Sequence, residues 1–138
     1  MKEQLSQVAK FQKAFGQNIE SSPKLIQEDK ASLRFELMKE ENEEYLQACF
    51  EHDLVEIADA LADQLYILCG TILEHGMQNI IEKCFEEVQR SNMSKLDEAG
   101  LPIINGENGV FDKTRPLGKI LKSGNYSPPN LKQFLSEA

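Results

Sequence analysis

Six acidic side chains stand in two short runs, Glu40, Glu41 and Glu44 in "EENEE" and Glu56, Asp59 and Asp63 in "EIADALAD". Carboxylates are oxygen donors for hard divalent cations and proton acceptors for an attacking water. Whether these six can do either depends on whether they face one another or face solvent. A helix turns ~100° per residue, which puts Leu33 at ~20°, Glu44 at ~40°, Leu37 at ~60° and Glu41 at ~100° when Glu40 is zero. Glu41 and Glu44 therefore fall inside the apolar stripe of their own helix, with Glu40 on its edge. Glu36 and Glu43 fall on the opposite side and are expected in solvent. In the second run, with Asp63 at zero, Glu56 lies at ~20° and Asp59 at ~−40°. Leu54, Val55, Ile57, Leu61, Leu65, Tyr66, Leu68, Ile72 and Leu73 occupy most of the rest of that cylinder.

A helix apolar on nearly all sides is expected to be buried, so its acidic stripe must be buried or line a cleft. Glu74, near the end of the same helix, is expected in solvent. Carboxylates gathered in an interior need cations. No arginine or lysine falls on either acidic stripe, and an all-oxygen donor set selects Mg²⁺ or Mn²⁺. A di-iron reading requires Glu three residues before His on two helices. The only histidines, His52 and His75, have Cys49 and Ile72 at that position, so the reading fails.

The elements that carry these acids are helices. Leu5, Val8, Gln12 and Phe15 recur at helical spacing over 3–15, with Gly16 as a stop. Residues 29–50 contain no Gly or Pro and predict one long helix. Asp53 is a candidate N-cap for a helix running to Glu74, closed by Gly76. A fourth helix is expected over about 78–91, with Ile80, Ile81, Cys84, Phe85 and Val88 as its apolar stripe. Leu33, Leu37, Leu61, Leu65, Leu68 and Phe85 are the expected core. Beyond Lys95 the composition changes, with five of the eight glycines and four of the five prolines. This predicts an irregular arm over about 98–138, with a short hairpin across "NGENG", attached to a helical core over about 1–97. The whole is read as one all-α domain.

The chain of 138 residues carries a formal charge of −8, which argues against a general binder of nucleic-acid polymers. An acidic protein can still hold a polyphosphate if divalent cations bridge the two. Three cysteines with no CxxC pair fit reduced thiols, and neither a signal peptide nor a membrane span is legible. The expected location is the cytoplasm. The helix from Asp53 to Glu74 is apolar on more sides than one small bundle can cover, which predicts a homodimer or homotetramer.

"EENEE" followed after eleven residues by "EIAD" resembles the EExxE…ExxD signature of the all-α nucleoside triphosphate pyrophosphohydrolases, a superfamily that includes MazG-like enzymes and phosphoribosyl-ATP pyrophosphohydrolase. "ADALADQLYILCGT" is similar to the family's second metal helix, with Asp63 in register and Ala60 where a glutamate is usual. "FEEVQRSNMSKLDEAG", "GKILKSGNYSPPNL" and "VAKFQKAFGQN" extend the resemblance over most of the chain, and "INGENGVFDKTRPL" is its least matched part. The resemblance implies an antiparallel helical bundle and a Mg²⁺-dependent hydrolysis of a nucleoside triphosphate to monophosphate and pyrophosphate. Glu41, Glu44, Glu56, Asp59 and Asp63 are then the candidate ligands, with Glu40 and Glu41 as candidates for activating water. Lys95 and Lys122 would contact phosphate opposite the metal, with Asn92 as a hydrogen-bonding partner. Apart from the resemblance, Phe11 and Phe15 are candidates for stacking on a base, with core packing the alternative for Phe15, and Asn18 is a candidate for reading it. Ala60 keeps a second reading open, a helical module that binds nucleotide without turning it over.

Overall fold

The computed structural model describes residues 1–135 and divides them into two compact units, residues 1–81 and residues 82 onward. The first holds three helices, α1 (Lys2–Ala14), α2 (Glu28–Glu51) and α3 (Leu54–Glu74). The helix α4 (Ile81–Met93) leads into the second, which adds a two-stranded antiparallel ribbon of β1 (Ile103–Ile104) and β2 (Ile120–Leu121) and a last turn, α5 (Lys132–Leu135). The all-α expectation holds, with the helix bounds within a few residues of those predicted. The strands pair Ile103 with Leu121 and Ile104 with Ile120, so the ribbon brackets a much longer loop than "NGENG".

α2 and α3 form an antiparallel hairpin across His52 and Asp53. His52 takes the left-handed conformation at φ 57° that closes a helix C-terminus, and the next amide, of Asp53, donates back to the Ala48 carbonyl. Asp53 then caps α3, its Oδ1 accepting from the amides of Val55 and Glu56 at 2.9 and 3.2 Å. One two-residue turn thus ends the first acid-bearing helix and starts the second.

The core of the first unit lies at one end of this hairpin. Leu5 and Val8 of α1 pack with Cys69, Ile72 and Leu73 of α3, flanked by Ala9, Ile19, Met77 and Ile81. Arg34 of α2 reaches the same end of α3 and is buried there. Its Nε donates to Thr71 Oγ1 at 3.0 Å, its Nη2 to the Ile67 carbonyl at 2.7 Å, and its Nη1 lies 3.7 Å from Glu74 Oε1. The expectation that Glu74 is solvated is therefore wrong: only 7% of it is exposed, because a cation forty residues earlier in the chain meets it. Burial pulls the Arg34 pKa down and the Glu74 charge opposes that. Gly70 makes the arrangement feasible, since a Cβ there would lie 2.5 Å from Arg34 Nη2. Gln12 of α1 also converges on Gly70, donating to its carbonyl at 3.3 Å.

The loop between α1 and α2 seals this end. The amides of Glu20 and Lys24 donate to the carbonyls of Leu73 and His75, satisfying groups a helix C-terminus leaves open. Gly76 turns with φ +67°, and its missing Cβ would sit 2.1 Å from the Ser22 carbonyl oxygen.

The expected core was placed on the wrong stretch. Leu33, Leu61, Leu65, Leu68 and Phe85 are 43% to 68% exposed in this chain, and Leu37 is half-buried. Periodicity shows which face of a helix is apolar but not what covers it, and among the described residues the buried positions of α3 are Ala60 and those of the Cys69–Glu74 end.

In the second unit, the segment after β2 is fastened to α4. The Arg90 guanidinium donates to Glu87, to Ser127 Oγ and to the Pro128 carbonyl, while Glu87 Oε1 accepts the Asn130 amide at 2.8 Å. The Arg90 hydrogen bond, followed by the Asn130 amide, holds the Glu87 pKa down to about 2.

Two outcomes follow from these contacts. Gly76→Ala should cost about 2 kcal/mol or more, combining left-handed strain with overlap on Ser22, and a denaturant melt measures it. Glu87 is favoured in its charged form, so its contribution is complete above the ordinary 4.5 and is lost as pH falls through about 2. The stability difference between wild type and Glu87→Gln should therefore shrink over that window in denaturant titrations at stepped pH.

Candidate active site

The hairpin register set by Arg34 continues toward the turn. Arg34 lies opposite Thr71, and seven residues further along α2 Glu41 lies opposite Gln64, whose Nε2 donates to the Glu41 carbonyl at 3.4 Å. This register brings the acids of α2 level with those of α3. Glu40, Glu44, Asp59 and Asp63 all act on Glu41: burial first, and then the charges of Glu44, Asp63, Glu40 and Asp59, raise its pKa. Glu41 is half-buried, and its Oε2 is shut off from solvent with no hydrogen-bond donor. A carboxylate oxygen in that position needs a cation or a proton.

Glu40, Glu44, Glu56, Asp59 and Asp63 are themselves exposed, so the acidic stripe lines a cleft rather than an interior. Glu44, Glu56 and Asp59 open onto a 270 Å³ cleft between α2 and α3 that also includes Glu51 and Ala48. Glu44 and Asp59 belong both to this cleft and to the group pressing on Glu41, whereas Glu56 belongs to the cleft alone. Glu51 was not singled out from the sequence, although it stands seven residues after Glu44 and so shares its face. It accepts a hydrogen bond from Gln47. Glu36 and Glu43 are exposed, as expected.

Ala60, the departure from the familiar pattern, is 3% exposed, as is Ala48 at 4%. Among the described residues, no three His, Cys, Asp or Glu side chains converge closely enough to hold an ion as they stand. Like charges on flexible side chains lower their energy by turning apart, and sharing one ion requires them to turn inward. The donor set consists of oxygens only, and its unpartnered oxygen is at Glu41, which fits a hard divalent cation.

Phe11 stands at the centre of an aromatic group. Its ring lies 4.4 Å from that of Phe15 and 5.5 Å, edge to face, from that of Tyr66 on α3. Tyr66 was read from the sequence as an apolar position only. Asn18 donates to Glu20 Oε1 at 2.7 Å.

The basic candidates belong to the second unit. Lys95 Nζ donates to Asn92 Oδ1 at 2.8 Å, which makes Asn92 the group that positions Lys95. Lys122 Nζ sits 4.4 Å above the Tyr126 ring. Both lysines line one 430 Å³ cleft together with Arg115 and Lys119. Those two were missed in the sequence, where the only signal is four basic residues between 113 and 122, Lys113 and Arg115 in the segment least like the family and Lys119 and Lys122 in the one after it.

The raised pKa of Glu41 means that folding penalises its charged form. The penalty is absent below the ordinary 4.5 and complete above the raised value. In EDTA at neutral pH, Glu41→Gln should therefore melt above wild type, and the gain should fade as pH falls and wild type takes up its proton. A thermal melt series over pH checks this.

A comparison with curated proteins gives no match. The family model of phosphoribosyl-ATP pyrophosphohydrolase matches residues 8–92, more than half of the chain, and that span holds both acidic runs and the Arg34 anchor. The chain belongs to the phosphoribosyl-ATP pyrophosphohydrolase family, within the all-α NTP pyrophosphohydrolase superfamily.

Proposed function

We propose that the protein is a Mg²⁺-dependent pyrophosphohydrolase that converts a nucleoside triphosphate, or a related nucleotide, to its monophosphate and pyrophosphate. The observation that carries this reading is the unpartnered Glu41 oxygen, pressed by four further acids on a segment that matches a pyrophosphohydrolase family. Glu41, Glu44, Asp59 and Asp63 would hold the ion, with Glu56 completing the set; Mn²⁺ would suit the same oxygens. The ion, when bound, supplies the positive charge that lets an acidic site accept a polyphosphate and that stabilises charge on the departing pyrophosphate.

The chain's own groups supply the rest. Water attacks phosphorus, the bond to the bridging oxygen breaks, and pyrophosphate departs with that oxygen. Glu40 or Glu41 takes the proton of the attacking water. Lys95 and Lys122 contact phosphate through charge-assisted hydrogen bonds. The exposed edge of the Phe11, Phe15 and Tyr66 group offers a stacking surface for a base, with the Asn18 amide nearby in sequence.

The working form is a homo-oligomer in a reducing cytoplasm. Leu54, Val55, Leu61, Leu65 and Leu68 leave much of α3 exposed, which supports the first part. Cys49, Cys69 and Cys84 are all free thiols, which supports the second. No helix among the described residues is long and apolar enough to cross a membrane.

The test is pyrophosphate release over a panel of nucleotides, with Mg²⁺ and with EDTA. Glu44→Gln and Asp63→Asn should each abolish turnover, and with it the rise in melting temperature that Mg²⁺ gives wild type, while Glu43→Gln should change neither. For wild type, Mg²⁺ at a hundredfold excess over Kd should stabilise the fold by about 2.7 kcal/mol. Turnover in EDTA, or a Glu43→Gln variant as dead as the other two, would overturn the assignment.

A further inference from the structure

The cleft of the second unit carries more positive charge than the phosphate contacts read from the sequence. Lys95, Arg115, Lys119 and Lys122 line its 430 Å³, and Asp112 is the single carboxylate among the lining residues. Four positive charges less one negative leave a local +3 in a protein of net −8. Asp112 Oδ1 is already engaged by the Thr114 amide and hydroxyl, at 2.8 and 2.6 Å. Among the described residues no carboxylate forms an ion pair with any of the four cations. Lys95 is held by a neutral amide and Lys122 by an aromatic face, so both keep their full charge available.

The loop that carries two of the cations is held in place by hydrogen bonds. Asn105, 2% exposed, donates to the carbonyls of Asp112, Arg115 and Pro116 and accepts the Asp112 amide. Its own amide donates to the Lys119 carbonyl, and its carbonyl accepts the Gly118 amide. One buried side chain thereby fixes the loop that presents Arg115 and Lys119. Ser123 Oγ donates to the Leu96 carbonyl at 2.8 Å, tying the Lys122 segment to the Lys95 segment. A group of cations without carboxylate ion-pair partners, carried around a cleft on backbone that is already fixed, is suited to a multiply charged anion, because no backbone ordering remains to be done on binding.

We propose that this cleft is an oligophosphate site that works without divalent metal, with Arg115 and Lys119 as binding residues alongside Lys95 and Lys122. The choice of oligophosphate over other anions rests on the pyrophosphohydrolase reading, in which substrate and product share that chemistry. The anion could be the phosphate chain of the bound nucleotide or free pyrophosphate.

Calorimetric titration of the full chain with inorganic tripolyphosphate in EDTA tests the site apart from the carboxylates. The expected result is saturable binding of one anion per chain, weakened at least tenfold in Arg115→Gln/Lys119→Gln. Lys83→Gln/Lys113→Gln, which removes the same charge outside the cleft, should bind as wild type. Protection of Lys95, Lys119 and Lys122 from amine acylation by tripolyphosphate gives the same answer on wild type alone. Absence of binding, or equal weakening in both double variants, overturns the proposal. In turnover assays, a raised KM in Arg115→Gln/Lys119→Gln marks the substrate's own chain as occupant, and loss of inhibition by added pyrophosphate marks the free anion. If neither moves, the site has no part in turnover and the proposal falls. If no nucleotide releases pyrophosphate but tripolyphosphate still binds, the enzymatic reading falls and the site stands.

Discussion

A buried arginine lying over a glycine sets the geometry of the first unit. Arg34 gives up water at one end of the α2–α3 hairpin and recovers it from Thr71, the Ile67 carbonyl and Glu74. A buried guanidinium left without these partners would cost several kcal/mol, so the two helices have one favoured register. Gly70 leaves room for the guanidinium, and the same glycine's carbonyl receives Gln12, so α1 is located by the same point. Seven residues along each helix, about 10 Å, separate this anchor from Glu41 and Gln64. The anchor thus determines which acids of α2 meet which acids of α3.

Neither acidic run would choose that meeting. Glu41 has an oxygen without a donor and four neighbours of like charge, an arrangement that free helices would relieve by sliding or separating. The apolar cluster of Leu5, Val8, Cys69, Ile72 and Leu73, together with the Arg34 network, holds it at a distance. The conflict is local and the packing that maintains it is remote. The Asp53 cap and the left-handed His52 reinforce this from the other end by fixing the turn between the two helices.

The second unit solves the opposite problem by a different device. It has little regular structure to position its cations, with two residues in each strand and one long loop between them. Asn105 supplies the order that hydrogen-bond ladders supply elsewhere, and the ties from Ser123 to the end of α4 supply the rest. One unit of this chain gathers acidic oxygens on a helical hairpin, and the other gathers basic nitrogens around a pinned loop.

The sequence by itself determined whatever depends on neighbours a few residues apart. Helix periodicity, the Asp53 cap, the exposure of Glu36 and Glu43, and the shared face of Glu41 and Glu44 follow from ~100° per residue and from the hydrogen-bonding needs of helix ends. The acid spacing also carried the family resemblance that the match over residues 8–92 supports. The tertiary structure alone decided the rest. Glu74 reads as a surface acid until Arg34, forty residues away, is placed beside it. Leu61, Leu65 and Leu68 read as core because an apolar face gives no sign of what covers it, and here the buried positions of α3 are Ala60 and those of the Cys69–Glu74 end. Arg115 and Lys119 read as ordinary loop charges because their convergence depends on one buried asparagine whose partners lie seven to fourteen residues away with no helical or strand period to reveal them. Short-range geometry is written in the order of residues, whereas which distant groups share the same desolvated space is fixed only when the chain has folded.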